Sequence, residues 1–77
     1  MVHMTSKIIR SSEVTNQHGT SASFTLVEYI DPSGDSIYQV TRIIYKYGFY
    51  PSIFNRECST LESALNVFHN LQISYLA

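Results

Sequence analysis

Asp31-Pro32-Ser33-Gly34-Asp35 lies between two runs rich in β-branched and aromatic residues, and it commits the chain to an antiparallel hairpin. Asp at the first position, Pro at the second and Gly at the fourth are the residues of a type I turn. Gly34 is free to take the left-handed conformation that closes a bulged hairpin. Ahead of the turn, residues 21–30 alternate. Phe24, Leu26 and Ile30 fall on one face and Ser23, Thr25, Val27 and Tyr29 on the other, with Glu28 interrupting the first. Behind it, Ser36 to about Tyr47 reads as the partner strand through Ile37, Tyr38, Val40, Thr41, Ile43, Ile44 and Tyr45. Such a strand would reach roughly 40 Å at about 3.3 Å per residue, more than a small sheet needs, so its far end is expected to bend or project.

The flanking segments extend this hairpin into a meander. Residues 6–15, with Lys7-Ile8-Ile9-Arg10 and a poor alternation, read as an edge strand, and Asn16 to Thr20 carries turn chemistry around Gly19. Gly48 breaks the third run. A short fourth strand is expected over Ser52 to Arg56, at an edge, because Pro51 cannot donate to a ladder. Ser59-Thr60-Leu61-Glu62 matches a capping box with Ser59 as N-cap. Leu61, Ala64, Leu65, Phe68 and Leu71 then follow helical spacing, giving a helix of three turns or slightly more. Ile73 to Ala77 either extend that helix or turn back over the core with Tyr75 and Leu76. The fold expected is α+β: a three- to four-stranded antiparallel β-meander with one C-terminal amphipathic helix packed on one face.

At 77 residues there is room for one core, assigned to residues 6–77, with residues 1–5 read as a disordered N-terminus or cloning remnant. A chain this short buries only about 60–65% of the surface its unfolded form exposes, so small domains lean on a staple or a partner. One cysteine, Cys58, cannot make an internal disulfide and suits a reducing cytosol, which sets the expectation of a cytoplasmic protein. Five Lys/Arg against six Asp/Glu leave a formal net charge of −1, a weak field for a nucleic-acid binder. No apolar stretch is long enough to span a membrane. The outline resembles that of several small bacterial and phage-borne proteins, some of which inhibit host defence complexes, but no motif accompanies it and no residue is carried across.

Chemistry-bearing constellations are few. Cys58 precedes the helix, where a thiol gains nucleophilicity, but its nearest histidine in sequence, His69, would stand roughly 15 Å away by helix rise. His18 and His69 make no metal-ligand spacing, and Glu28 and Glu62 have no carboxylate partner for acid–base work. The chain is therefore expected to be no enzyme and to carry neither cofactor nor metal. What stands out is the aromatic cluster Tyr38, Tyr45, Tyr47, Phe49, Tyr50 and Phe54 with Arg42, Lys46 and Arg56 interleaved. Three readings compete: core residues beneath the helix, a protein-binding surface, or a platform for single-stranded nucleic acid. The favoured expectation is a non-enzymatic module that binds protein, itself as a homodimer or a partner, through an aromatic sheet face or an edge strand. The residues assigned to it are Tyr38, Arg42, Tyr45, Lys46, Tyr47 and Tyr50, with single-stranded nucleic acid as the alternative ligand of the same rings and cations.

Overall fold

The structure, a computed structural model, describes residues 5–46 and 50–76. Its elements are β1 (Thr5–Thr15), β2 (Ser21–Ile30), β3 (Ser36–Tyr45), β4 (Ser52–Cys58) and α1 (Leu61–Leu76). The strands pair antiparallel in the order β1-β2-β3-β4, the meander expected, with the C-terminal helix packed against it. The disorder expected of the N-terminal residues falls outside the described residues, except at Thr5, which begins β1.

Both described hairpins close by one device. Gly34 N donates to Asp31 O and Asp31 N to Asp35 O, each at 2.9 Å; Gly19 N donates to Asn16 O at 3.0 Å and Asn16 N to Thr20 O at 2.9 Å. The Oδ1 of Asp31 accepts from the amides of Ser33 and Asp35, and that of Asn16 from the amides of His18 and Thr20. Gly34 at φ 95° and Gly19 at φ 79° occupy the left-handed region each turn requires.

The poor alternation of β1 has a physical cause. Ile8 faces Val27 and Arg10 faces Leu26, so Ile9 is an inserted residue. This bulge reverses which parity points inward. It sends Ile9 against the core while Ile8 stays 65% exposed.

Ala22, Phe24, Leu26 and Val40 on the sheet, with Ala64 and Phe68 on the helix, form the buried core. Phe24 is its centre, meeting the rings of Phe68 and Tyr75 edge-on at 6.4 and 6.0 Å. The helix starts just past Cys58 and packs against β2, β3 and β4. Its far end is fixed by Tyr75 Oη, which donates to Thr20 O at 2.5 Å, and by Gln72, which donates to Ser12 Oγ. Of the two courses open to the C-terminal residues, the helix continues through Leu76.

The cap differs from the expected one. Thr60, not Ser59, is the N-cap: its Oγ1 accepts from Ser63 N at 3.2 Å and its carbonyl from Ala64 N at 3.1 Å. Strand β4 runs to Cys58, still paired with Tyr38, two residues beyond its expected end. Ser59 is therefore needed for the bend, and the cap moves on by one residue.

Candidate functional site

Strand alternation and the observed register sort every sheet residue to one of two faces. The helix side carries Phe24, Leu26, Glu28, Tyr38, Val40, Arg42, Ile44, Phe54, Arg56 and Cys58. The opposite side carries Val27, Tyr29, Ile37, Gln39, Thr41, Ile43, Tyr45, Ile53, Asn55 and Glu57, and among the described residues no helix covers it.

On that open face Ser11, Thr25, Thr41 and Asn55 align across the four strands, with Thr41 Oγ1 donating to Asn55 Oδ1 at 2.7 Å. This polar row separates two apolar lobes. One is made by Ile8, Val27, Tyr29 and Ile37, where Tyr29 and Ile37 with Gln39 and Glu57 line a shallow basin of about 190 Å³. The other is made by Ile43, Tyr45 and Ile53, with Tyr45 46% and Ile53 61% exposed.

The residues singled out from sequence do not form one patch. Tyr45 lies on the open face, while Tyr38 and Arg42 lie on the helix side. Tyr38 Oη donates to Glu28 Oε2 at 3.0 Å, directly across the β2–β3 pair. That hydrogen bond, with desolvation and the glutamate charge behind it, holds the Tyr38 phenol above its ordinary pKa. Lys46 follows the end of β3, and Tyr50, 97% exposed, precedes β4. Tyr47 and Phe49 lie outside the described residues.

Arg42 belongs to a second constellation. Its guanidinium carbon stands 5.3 Å from the centre of the Phe54 ring, a cation–π contact. Its Nε is shut from solvent with no hydrogen-bond acceptor among the described residues. Phe54 and Arg56 of β4 with Val67, Asn70, Leu71 and Ser74 of α1 enclose a cleft of about 150 Å³ beside the sheet edge. The helical residues lie at i, i+3, i+4 and i+7, a second stripe next to the core stripe. Phe54 and Arg56 were visible in the aromatic–basic cluster. Asn70 and Ser74 were not, although their spacing relative to Val67 and Leu71 was the available signal.

Among the described residues no group of three His, Cys, Asp or Glu is placed to hold a metal ion, and no helix is long and apolar enough to cross a membrane. Cys58 is half-buried against the core. Searches of protein-family models, curated proteins and solved structures give no match to the chain.

Proposed function

We propose that this chain is a non-enzymatic protein-interaction module of the reducing cytosol that associates with a second copy of itself through the open face of its sheet. The supporting observation is the one-sided helix. A four-stranded sheet is roofed on one face, and the other presents Ile8, Ile37, Tyr45 and Ile53 to solvent. Four strands of about ten residues, at about 3.3 Å per residue and about 4.8 Å apart, make that face roughly 600 Å² in footprint, at the lower end of what one partner buries in a specific interface. Apolar lobes divided by a hydrogen-bonding row suit a protein surface, where apolar anchors supply affinity and polar groups fix orientation.

The open face does not favour the nucleic-acid alternative. Stacking of bases with cations along the backbone needs rings and positive charges on one surface. Tyr29 and Tyr45 are on the open face, whereas Arg10, Arg42 and Arg56 are on the other.

Sedimentation equilibrium over 1–200 μM (about the range in which weak dimers form) tests the reading. A dimer is expected, lost in Ile53→Asp and Ile37→Asp, which bring a charge into each lobe. A chain that stays monomeric throughout, or a dimer indifferent to both substitutions, overturns it.

A further inference from the structure

Strand β4 ends the sheet, so among the described residues one row of its backbone N–H and C=O groups has no strand to pair with. The two sheet edges are not alike. β1 carries the bulge at Ile9, a feature that obstructs strand addition. β4 keeps an unbroken register with β3 from Ser52 to Cys58, and all its residues but Cys58 are exposed. Beside this usable edge lies the cleft between β4 and α1.

The cleft has a definite chemistry. Phe54 forms its apolar floor, Arg42 stacks on that ring, and Arg56 stands two residues along β4 on the same face. Asn70 and Ser74 add an amide and a hydroxyl from the helix, and no carboxylate lines the cleft. The acidic residue nearest in kind on the helix side of β2 and β3, Glu28, is engaged by Tyr38. One guanidinium, that of Arg56, thus lines a small depression that has no carboxylate, and a second, that of Arg42, lies on the Phe54 ring with its Nε shut from solvent. Desolvation strengthens the attraction for a charge brought close. A depression of about 150 Å³ admits one side chain or a benzene-sized group rather than a length of polymer.

We infer that β4 and the cleft receive an extended peptide from a protein partner, which adds as a fifth strand along β4 and directs one aspartate or glutamate side chain toward Arg56, with the Arg42 charge behind Phe54 adding to the attraction. This rests on the protein-binding reading but uses a different surface from the open face. Strand addition supplies backbone hydrogen bonds of no particular sequence, and the pocket beside the edge selects one side chain. Charge complementarity assigns that side chain. A guanidinium fork matches a carboxylate in two hydrogen bonds, and Phe54 holds the Arg42 plane in place.

The test is selection of displayed random heptapeptides on the full chain, followed by fluorescence anisotropy of the enriched peptide. One acidic position is expected to be enriched, and converting its carboxylate to the amide weakens binding at least tenfold. Arg56→Gln in the chain, an exposed position whose folding is checked by circular dichroism, produces a similar loss. Arg42→Lys, which keeps the charge but not the planar stack, produces a smaller one. N-methylation of alternate peptide amides abolishes binding. Absence of enrichment, enrichment without an acidic position, unchanged binding by Arg56→Gln, or tighter binding of inorganic phosphate or oligothymidylate overturns the inference. Sedimentation of the wild-type chain, set beside its peptide binding, separates the two surfaces. A monomer that binds acidic peptides defeats only the open-face reading, and a dimer that ignores them defeats only the cleft.

Discussion

Phe24→Ala is the substitution that most directly tests how helix and sheet hold together. The side chain is fully buried and makes edge-on contacts with both Phe68 and Tyr75, so it joins β2 to two successive levels of α1. Truncation leaves a cavity of about 80–100 Å³, which at ~24 cal/mol per Å³ costs about 2 kcal/mol. Loss of the ring's transfer free energy adds about 2 kcal/mol. The sum, about 4 kcal/mol, lies within the usual range for Phe→Ala in a core. A chain of 77 residues has roughly 4–11 kcal/mol of stability in all, so the variant is expected to be marginal or unfolded at 25 °C. Urea titration followed by circular dichroism reads this as a midpoint lowered by about 4 M, taking m near 1 kcal/mol per M. Lys7→Ala, at an exposed position of β1 on the helix side, serves as control and shifts the midpoint by less than about 0.5 M. Titrating at two protein concentrations separates dimer stabilisation, which depends on concentration, from packing, which does not. A Phe24→Ala midpoint within 1.5 M of wild type (a loss under about 1.5 kcal/mol) would refute the placement of α1 over β2.

Thr60→Ala should cost about 1 kcal/mol in the same titration and Ser59→Ala almost nothing, because Thr60 Oγ1 is the group that accepts from Ser63 N. Asp31 is held below the ordinary aspartate pKa of 3.8, first by the Ser33 hydroxyl and then by the Asp35 amide. Its contribution to stability is therefore complete above 3.8 and is lost as pH falls through the lower folded value. An NMR titration giving a carboxyl pKa at or above 3.8 would contradict this. Tyr38 is raised above the ordinary 10.0, chiefly by its hydrogen bond to Glu28, so the stability it adds is complete below 10.0 and is lost as pH climbs through the folded value. Ultraviolet titration of wild type against Tyr38→Phe should show one phenol ionising late, and Glu28→Gln should bring that ionisation earlier.

The parts of the fold that the sequence declares are those decided by local chemistry. Asp31-Pro32-Ser33-Gly34 closes its hairpin with its own atoms, and Leu61 to Leu71 fix a helix stripe by spacing alone. The bulge at Ile9 is not declared locally. Two adjacent isoleucines read the same in any register, and which of them turns inward is settled only by pairing with Val27 and Leu26. The N-cap is a similar case: Ser59 satisfies the capping-box count, but Cys58 remains in the β4 ladder and leaves the cap to Thr60. For the candidate site, parity within β3 already separates Tyr38 and Arg42 from Tyr45, because strand side chains alternate. Grouping them by aromatic character alone joins residues that the sheet keeps apart. The cleft required a long-range fact, the side of β4 on which α1 comes to rest, and that is fixed by Phe24, Tyr75 and Gln72 rather than by any residue lining it.

The inequality of the two edges also limits what this sheet can assemble into. Had both edges been regular, β4 of one copy could pair with β1 of the next, a head-to-tail contact that does not close and grows into a fibre. The inserted Ile9 twists β1 out of a flat ladder. Addition at β4 therefore ends after one strand. On the two proposed readings, the open apolar face and the free strand would both be used without polymerisation. Removing the inserted residue, by deletion of Ile9, would restore a regular ladder in the same register, with Ile8 still opposite Val27 and Arg10 still opposite Leu26. That deletion also removes the Ile9 side chain from its place against the core as it regularises the edge, so the bulge couples core packing to the protection of the edge.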